Sequence, residues 1–458
     1  MRRCLGVRYL PNAQCKGGDT MAERAGSDAA ATDKNPLLRL VDIAPGERAA
    51  AFGSFLTFAL VLGGYYLIRP VRENFSAEAT ADQRQLWFLL VFLVMLAAVP
   101  VFGWIVARVA RAWVLPGLYG LFVAILLAFW LALRAGIGGD LGGAFFVFGS
   151  VFNLFVVSLF WILMSDLYDS DQAKRLYGFI AAGGTLGAVL GPLAASRLVA
   201  IVGQDNLLLL SSLALLAAAA LSIWLRRFAR AHRDDSDPRE QPATLRSILS
   251  GAERVMRDPY LMRIALYVLA ANLLSTFFYL EQSRLAGEMI PDATARVQFF
   301  SQRDLITSVL TVIVQVAVAG HIMARFGIGA AASVLPAVTI AGLAIYAAMP
   351  ELHVVAAIMV AERVSAFALS NPSTKVLYTA VDADERYKAQ NFIDTVVYRG
   401  GDALSGAVFN GLTKAMGWPL AAVAAVSIPV AGAWLWMSAR FDRALDARLA
   451  ETDVRPDA

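Results

Sequence analysis

The chain has 458 residues, 58% of them hydrophobic, a mean hydropathy of +0.59 and a formal charge of +4. That is far more apolar than a soluble globular domain. Apolar runs of about 18 residues or more, long enough to cross a bilayer as helices, recur along nearly the whole chain. The alternating pattern of an outer-membrane barrel is not seen. The basic excess gathers in loops between apolar runs, as membrane topology requires, so it does not indicate a nucleic-acid partner. Cys4 and Cys15 both precede the first apolar run, which leaves no disulfide framework for the membrane part. His232, His321 and His353 are scattered without metal-ligand spacing, and no cofactor is expected.

Taken in order, residues 1–47 read as a polar cytoplasmic tail. Its first twenty residues lack the apolar core of a signal peptide, and Met21 is a candidate start. Twelve spans follow, near 48–69, 86–107, 112–133, 143–166, 175–200, 205–226, 261–284, 297–321, 328–349, 352–378, 389–414 and 418–438. The charged segment 227–260 divides them into six-helix halves, 48–226 and 261–438, and 439–458 forms a second tail. The predicted class is an all-α polytopic membrane protein, twelve transmembrane helices in two halves, with major-facilitator-like architecture. Basic residues such as Arg108, Arg111, Lys174, Arg175 and the arginines of the central loop put both termini in the cytoplasm.

Charges inside or at the ends of the spans carry the functional reading, because each costs roughly 2.5–3.5 kcal/mol at a bilayer centre. The first span closes on "YYLIRPVRENF", where Tyr65, Arg69 and Arg72 are spaced i, i+4, i+7 and share one helical stripe. Two guanidiniums on one face suit a phosphate; the alternative is that both snorkel to lipid headgroups. Pro70 is expected to kink the helix. The fourth span ends in Asp166, Asp169 and Asp171 with Lys174 and Arg175, either a solvated loop or part of a gate. Gly183, Gly187 and Gly191 recur every fourth residue, a face for close helix packing. Glu281 and Arg284 close the seventh span, and Arg303 and Asp304 lie in the eighth, as candidate gating pairs between the halves. In the tenth and eleventh spans Asn371, Lys375 and Tyr378 share a stripe, as do Asp394, Tyr398 and Asp402, with Arg399 beside them. Lys375 either snorkels at the cytoplasmic end or joins a site, while Asp394, Arg399 and Asp402 form either a buried structural network or a site.

Walker A, HExxH and nucleophile-elbow signatures are missing, so no enzyme is expected. The halves look related: Tyr66-Leu67 recurs as Tyr279-Leu280, Asp169-x-Asp171 as Asp382-x-Asp384, and Phe179-Ile180 as Phe392-Ile393, all at the same offset.

Three motifs together resemble the ATP:ADP antiporters of plastids and of obligate intracellular bacteria and parasites, and still more their free-living bacterial relatives. Tyr66, Arg69, Arg72 and Glu73 match the family's first-span pattern. Phe160, Trp161, Asp171, Ala173, Lys174, Arg175 and Tyr177 match the second. Lys375, Tyr378, Asp382, Asp384, Lys388, Ile393, Asp394 and Val396 match the third. Arg72 falls where the family usually has a lysine implicated in nucleotide transport, and Asp402 falls where a lysine is expected. The resemblance implies exchange of ATP for ADP, or of another nucleotide or phosphorylated anion, across a bacterial inner membrane. The substrate-binding residues it suggests are Arg69, Arg72 and Tyr65, facing Lys375, Arg399, Tyr378 and Asn371. Glu73, Glu281, Asp394, Asp402, Lys174 and Arg175 are the coupling or gating candidates. The expected partners are the transported anion and the lipid bilayer, with the monomer as the working unit. The alternative is a proton-coupled transporter of an unrelated solute, with Asp394, Asp402 or Glu281 titrating; a non-transporting scaffold is a third reading.

Overall fold

A computed structural model describes residues 43–109, 111–137, 140–230 and 245–454. Cys4, Cys15, Met21 and residues 231–244 of the central loop lie outside these residues. Among the described residues there is no strand. The first half comprises α1 (Arg48–Glu78), α2 (Ala81–Arg108), α3 (Arg111–Arg134), α4 (Leu141–Leu167), α5 (Ser170–Val202) and α6 (Gln204–Arg230). A short amphipathic helix, α7 (Leu245–Arg257), leads into α8 (Pro259–Met289) and α9 (Ala293–Val314). Then come α10 (Gly320–Ala348), α11 (Leu352–Ser365), α12 (Asn371–Leu377), α13 (Ala383–Phe392), α14 (Tyr398–Asn410), α15 (Leu420–Ser438) and α16 (Phe441–Val454).

Ten segments are long and apolar enough to cross a bilayer. The longest, Ala293–Ala348, holds two crossings, because Gly327 at φ 88° breaks the helix there. Left-handed backbone of this kind strains any residue with a Cβ. The remaining crossing is α13 to α14, rich in charge and interrupted by π-turns at Ile393–Val397 and Gly411–Ala415. The architecture is therefore twelve membrane helices in two halves. Polar turn residues set the helix starts: Thr80 and Gln83 cap α2 reciprocally, while Asp140, Asp169 and Asp292 accept backbone N–H bonds at α4, α5 and α9.

Two expectations need correction. The first span does not end at Arg69, since α1 continues to Glu78 and runs unbroken through Pro70. Likewise α8 passes Arg284 and ends at Met289. Both helices carry charged residues that are paired inside the protein, so apolar composition under-reads where they stop.

The spaced glycines pack α5 onto α1. A Cβ at Gly183 would stand 2.1 Å from the Phe55 carbonyl oxygen, and one at Gly187 would stand 2.3 Å from that of Ala59. The obstacles are backbone atoms, which cannot rotate away. Gly187→Leu is therefore expected to cost about 1–3 kcal/mol or more, read as a lowered unfolding midpoint of the purified protein.

Both α1 and α8 start at the end of the bundle that carries residue 48, here the near end, and finish at the far end. Inter-half bonds gather at the far end. Ser76 faces Ser283 at 3.3 Å, Arg296 donates to Asn74 at 2.6 Å and to Glu78, Asn410 donates to Gln85, and Lys414 donates to Asp82. A Cβ on Gly287 would meet the Ala77 carbonyl oxygen at 2.2 Å, so the backbones of α1 and α8 nearly touch. The bundle is closed at the far end.

Candidate functional site

Within the closed bundle, the innermost inter-half ion pair among the described residues joins Arg69 of α1 to Asp304 of α9, Nη1 to Oδ2 at 3.4 Å. Arg69 is 9% exposed and Asp304 is 1% exposed, which excludes headgroup snorkelling for Arg69. Asp304 also receives Arg303 at 2.7 Å and, from α11, Arg363 at 3.7 Å. On the first-half side, fully buried Glu73 pairs with Arg72 at 2.9 Å and lies 4.0 Å from the Arg69 Nε. Arg72 turns toward α4, where its Nη1 donates to Ser150 at 3.3 Å and its guanidinium sits 4.8 Å from the Phe146 ring centre. Arg303 also donates to the amide oxygen of Gln282. Four guanidiniums thus meet two carboxylates in one connected group.

Removing such charges from water is costly unless they are paired and hydrogen-bonded. Pairing here is incomplete. The Nε groups of Arg69 and Arg72 are buried without a hydrogen-bond partner. The Glu73 Oε2 and Asp304 Oδ2 atoms are buried without a partner as well, and with four guanidiniums to two carboxylates the group keeps a net positive charge, as an anion site requires.

Beside the Arg69–Asp304 pair, on its near-end side, lies a cavity of about 190 Å³. Tyr66 and Arg69, Thr185, Thr307, Ser308 and Thr311, and Gln315 line it. Its walls come from both halves and are dense in hydroxyls. The Thr311 hydroxyl is buried with no hydrogen-bond partner. Two π-turns shape the near side, Gln315–Ala319 and Ala366–Ser370, which contribute Gln315 and Phe367. Such turns re-aim side chains within a helix. The volume falls below the roughly 300–1,000 Å³ of pockets that enclose a whole drug-sized ligand. In this conformation the cavity accommodates one compact group, such as a phosphoryl group.

The other expected residues are distributed more widely. Tyr65 is buried against Tyr66 and Phe152, so Tyr66 and not Tyr65 lines the cavity. Lys375 pairs with Asp394 at 3.1 Å, both about half exposed. Tyr378 beneath them is buried, with its hydroxyl unpartnered, and Asn371 is exposed. Arg399 pairs with Asp402 at 3.4 Å, and Thr276 of α8 donates to the same carboxylate. Among the described residues, no hydrogen bond or ion pair carries Lys375 or Arg399 to the first half. Glu281 and Arg284 pair with each other, and Tyr346 donates to Glu281 at 2.5 Å, all within the second half. The eighth-span pair differs, since Asp304 does bridge the halves.

Lys174 and Asp171 form an exposed pair in the first turns of α5 at the near end, and Arg175 binds Glu47 at 3.0 Å. The hydrogen bond from Arg175, helped by those from Gln172 and Ala44, holds the Glu47 carboxyl below its ordinary value of 4.5 against the opposing effect of burial. A depressed carboxyl stabilises above its unfolded value and loses that contribution as pH falls through the folded one. Glu47→Gln is therefore expected to lower the unfolding midpoint at pH 7, with the difference from wild type closing as the pH is taken below 4.5.

Sequence reasoning missed Arg363. The signal was present: Glu362-Arg363 stands in the middle of an apolar span, where an ionisable pair is costly.

Comparison with known proteins decides the family. The profile of the Major Facilitator Superfamily matches residues 49–406, most of the chain. The chain belongs to the major facilitator superfamily. Its fold is shared with a bacterial homologue of the iron transporter ferroportin, solved in an inward-facing state (TM-score 0.62, 13% identity, covering 88% of this chain and 100% of that one). A POT family transporter aligns at TM-score 0.60 and 14% identity, covering 87% of this chain and 98% of that one. Identities this low establish the fold alone. Among curated proteins, this superfamily member is similar to ADP,ATP carrier protein 1 of Chlamydia muridarum, with 22% identity over 316 residues, 60% of this chain and 59% of the relative. The same carrier of Chlamydia trachomatis matches at 22% over 315 residues, with the same coverage. The matched region thus spans about three fifths of these relatives' length.

Proposed function

We propose that this membrane transporter exchanges a nucleotide, of ATP and ADP type, or another phosphorylated anion by alternating access. The observation that carries the reading is the group of Arg69, Arg72, Arg303 and Arg363 around two carboxylates, beside a hydroxyl-lined cavity between the halves. The similarity to ADP,ATP carriers supports the same substrate class. Guanidiniums from both halves would close on one phosphate, and hydroxyls of α5 and α9 would complete its hydrogen bonds. The near end lies in the cytoplasm by the bias of basic residues, in a bacterial inner membrane. In this reading Arg303 and Arg363 act opposite Arg69, where the family resemblance had suggested Lys375 and Arg399. Lys375 and Arg399, with Asn371, Tyr378 and Asp394, would serve the anion's approach on the second-half side, and Lys174 and Arg175 its approach from the near end.

Ligands that bind only the folded state raise its unfolding temperature. ADP, ATP and inorganic phosphate are expected to stabilise the purified protein in a concentration-dependent way, whereas uncharged adenosine is not. Stabilisation by adenosine equal to that by ADP would remove the phosphate from the reading.

A specific observation favours proton coupling as a second reading. Asp394, Asp402 and Glu281 each pair with a cation. Glu362 is 3% exposed and, among the described residues, has no cation within ion-pair distance; Thr339 donates to it at 2.6 Å. A membrane-buried acid of this kind is a proton-carrying group in transporters. Uptake driven by an imposed proton gradient, and lost in Glu362→Gln, supports this reading; gradient-independent exchange rejects it.

A further inference from the structure

Asp304 occupies an unusual position. Its carboxylate is 1% exposed and receives guanidiniums from three helices, Arg303 beside it on α9, Arg363 on α11 and Arg69 on α1 of the opposite half. It also lines the cavity with Arg69, and the Arg69 Nε and Thr311 hydroxyl in the same walls have no hydrogen-bond partner. A carboxylate held by three guanidiniums is chemically what a bound phosphate would be. The charge of Arg69 that would attract a phosphoryl group to this face of the cavity is therefore already balanced by a residue of the chain itself, through an ion pair at 3.4 Å that leaves the Asp304 Oδ2 without a hydrogen bond.

We propose that Asp304 is a tethered stand-in for the transported anion: it bridges Arg69 across the halves in the empty carrier, and a phosphoryl group displaces it on binding. The inference rests on the exchange reading and deepens it in two respects. It specifies the recognised part of the substrate as an anionic terminal group, since that part must outcompete a carboxylate for the same guanidiniums. It also supplies a reason for strict exchange. While Asp304 holds Arg69, the empty carrier stays latched at its centre and closed at the far end. Breaking the latch without an anion would leave buried guanidiniums uncompensated, a strongly unfavourable state. Only a loaded carrier has an alternative partner for Arg69 and can reorient.

The test uses the full chain with Asp304→Asn, which removes the charge and keeps the shape. Two properties are measured. The first is calorimetric binding of ADP and of inorganic phosphate. The second is the rate of disulfide formation between Ser76→Cys and Ser283→Cys without any anion, in a background where Cys4 and Cys15 are replaced by serine. Those two hydroxyls are 3.3 Å apart across the halves. Removing the competitor is expected to tighten anion binding about tenfold, the scale of one charge-assisted hydrogen bond. The anion-free cross-link is expected to slow, because the central latch is gone. Asp304→Ser, with a smaller uncharged side chain, repeats the experiment should the asparagine variant fold poorly. Asp304→Glu, which keeps the charge, is expected to bind anions as the wild type does. If wild type binds ADP or phosphate and the uncharged variants bind no more tightly, the stand-in role is overturned while the exchange reading stands. Equal tightening in Asp304→Glu would show a packing effect and also overturn it. If wild type binds neither probe, the exchange reading falls and the stand-in role with it.

Discussion

Replacing Arg69 by alanine is expected to abolish exchange to within background while leaving the protein folded. Arg69 is the first-half guanidinium that both lines the cavity and reaches the second half. Removing one partner of a buried ion pair costs about 3–5 kcal/mol, roughly a hundredfold to several thousand-fold in an equilibrium constant. Folding is preserved because Asp304 keeps Arg303 and Arg363, and Glu73 keeps Arg72. Arg69→Lys should recover only part of the loss. A lysine keeps the charge but cannot present a planar fork to a phosphate. Exchange rates of labelled ADP in vesicles, compared at equal protein incorporation, measure both. Wild-type exchange in Arg69→Ala would show that the anion does not depend on this guanidinium.

The second large effect lies at the far end. Arg296 is 6% exposed and donates to Asn74 at 2.6 Å, to Glu78, and to the Ile290 and Pro291 carbonyls at 2.7 and 2.9 Å. It ties the start of α9 to the end of α1 and also satisfies the carbonyls after α8. Because Glu78 is 44% exposed, solvent screens part of this contact. Arg296→Ala is therefore expected to weaken far-end closure by about 1–2 kcal/mol rather than the full cost of a buried pair, and so to raise the population open at that end by roughly five- to thirtyfold. In the cysteine-free background, Ser76→Cys becomes correspondingly more reactive toward a water-soluble maleimide. Unchanged labelling would mean that the serine and backbone contacts hold the far end without Arg296.

The contrast between these residues and the others marks how far the sequence could be read. Twelve helices and two halves followed from apolar runs and a charged divide, because hydrocarbon imposes helices on any such chain. The repeat extends to helix placement: Ser170 and Ala383, the starts of α5 and α13, are separated by the same 213 residues as the matched motifs. Spacing also placed Arg69 and Arg72 near one stripe, and the charges themselves made the region a candidate. The partner of each charge was not legible. Periodicity says which face of one helix a side chain occupies, not which helix that face meets. Lys375 and Arg399 therefore looked suited to oppose Arg69, yet they pair with Asp394 and Asp402 of their own half. The residues opposite Arg69 are Asp304, Arg303 and Arg363, from α9 and α11. The π-turns at Gln315–Ala319, Ala366–Ser370, Ile393–Val397 and Gly411–Ala415 were equally hidden. Each rephases the residues after it, so stripes drawn at a constant 3.6 residues per turn mislead across them. Pro70 lies inside α1, which continues through it with buried neighbours on either side.

Counter-exchange in reconstituted vesicles tests the central claim most directly. Purified protein is incorporated into liposomes, and uptake of labelled ADP is followed with the lumen either empty or preloaded with ATP, ADP or phosphate. Uptake is predicted only into vesicles preloaded with one of these anions, without a proton gradient, because an empty carrier latched through Arg69 and Asp304 does not return. The absence of labelled ADP uptake into preloaded vesicles, from protein shown to be folded and inserted, would contradict the account.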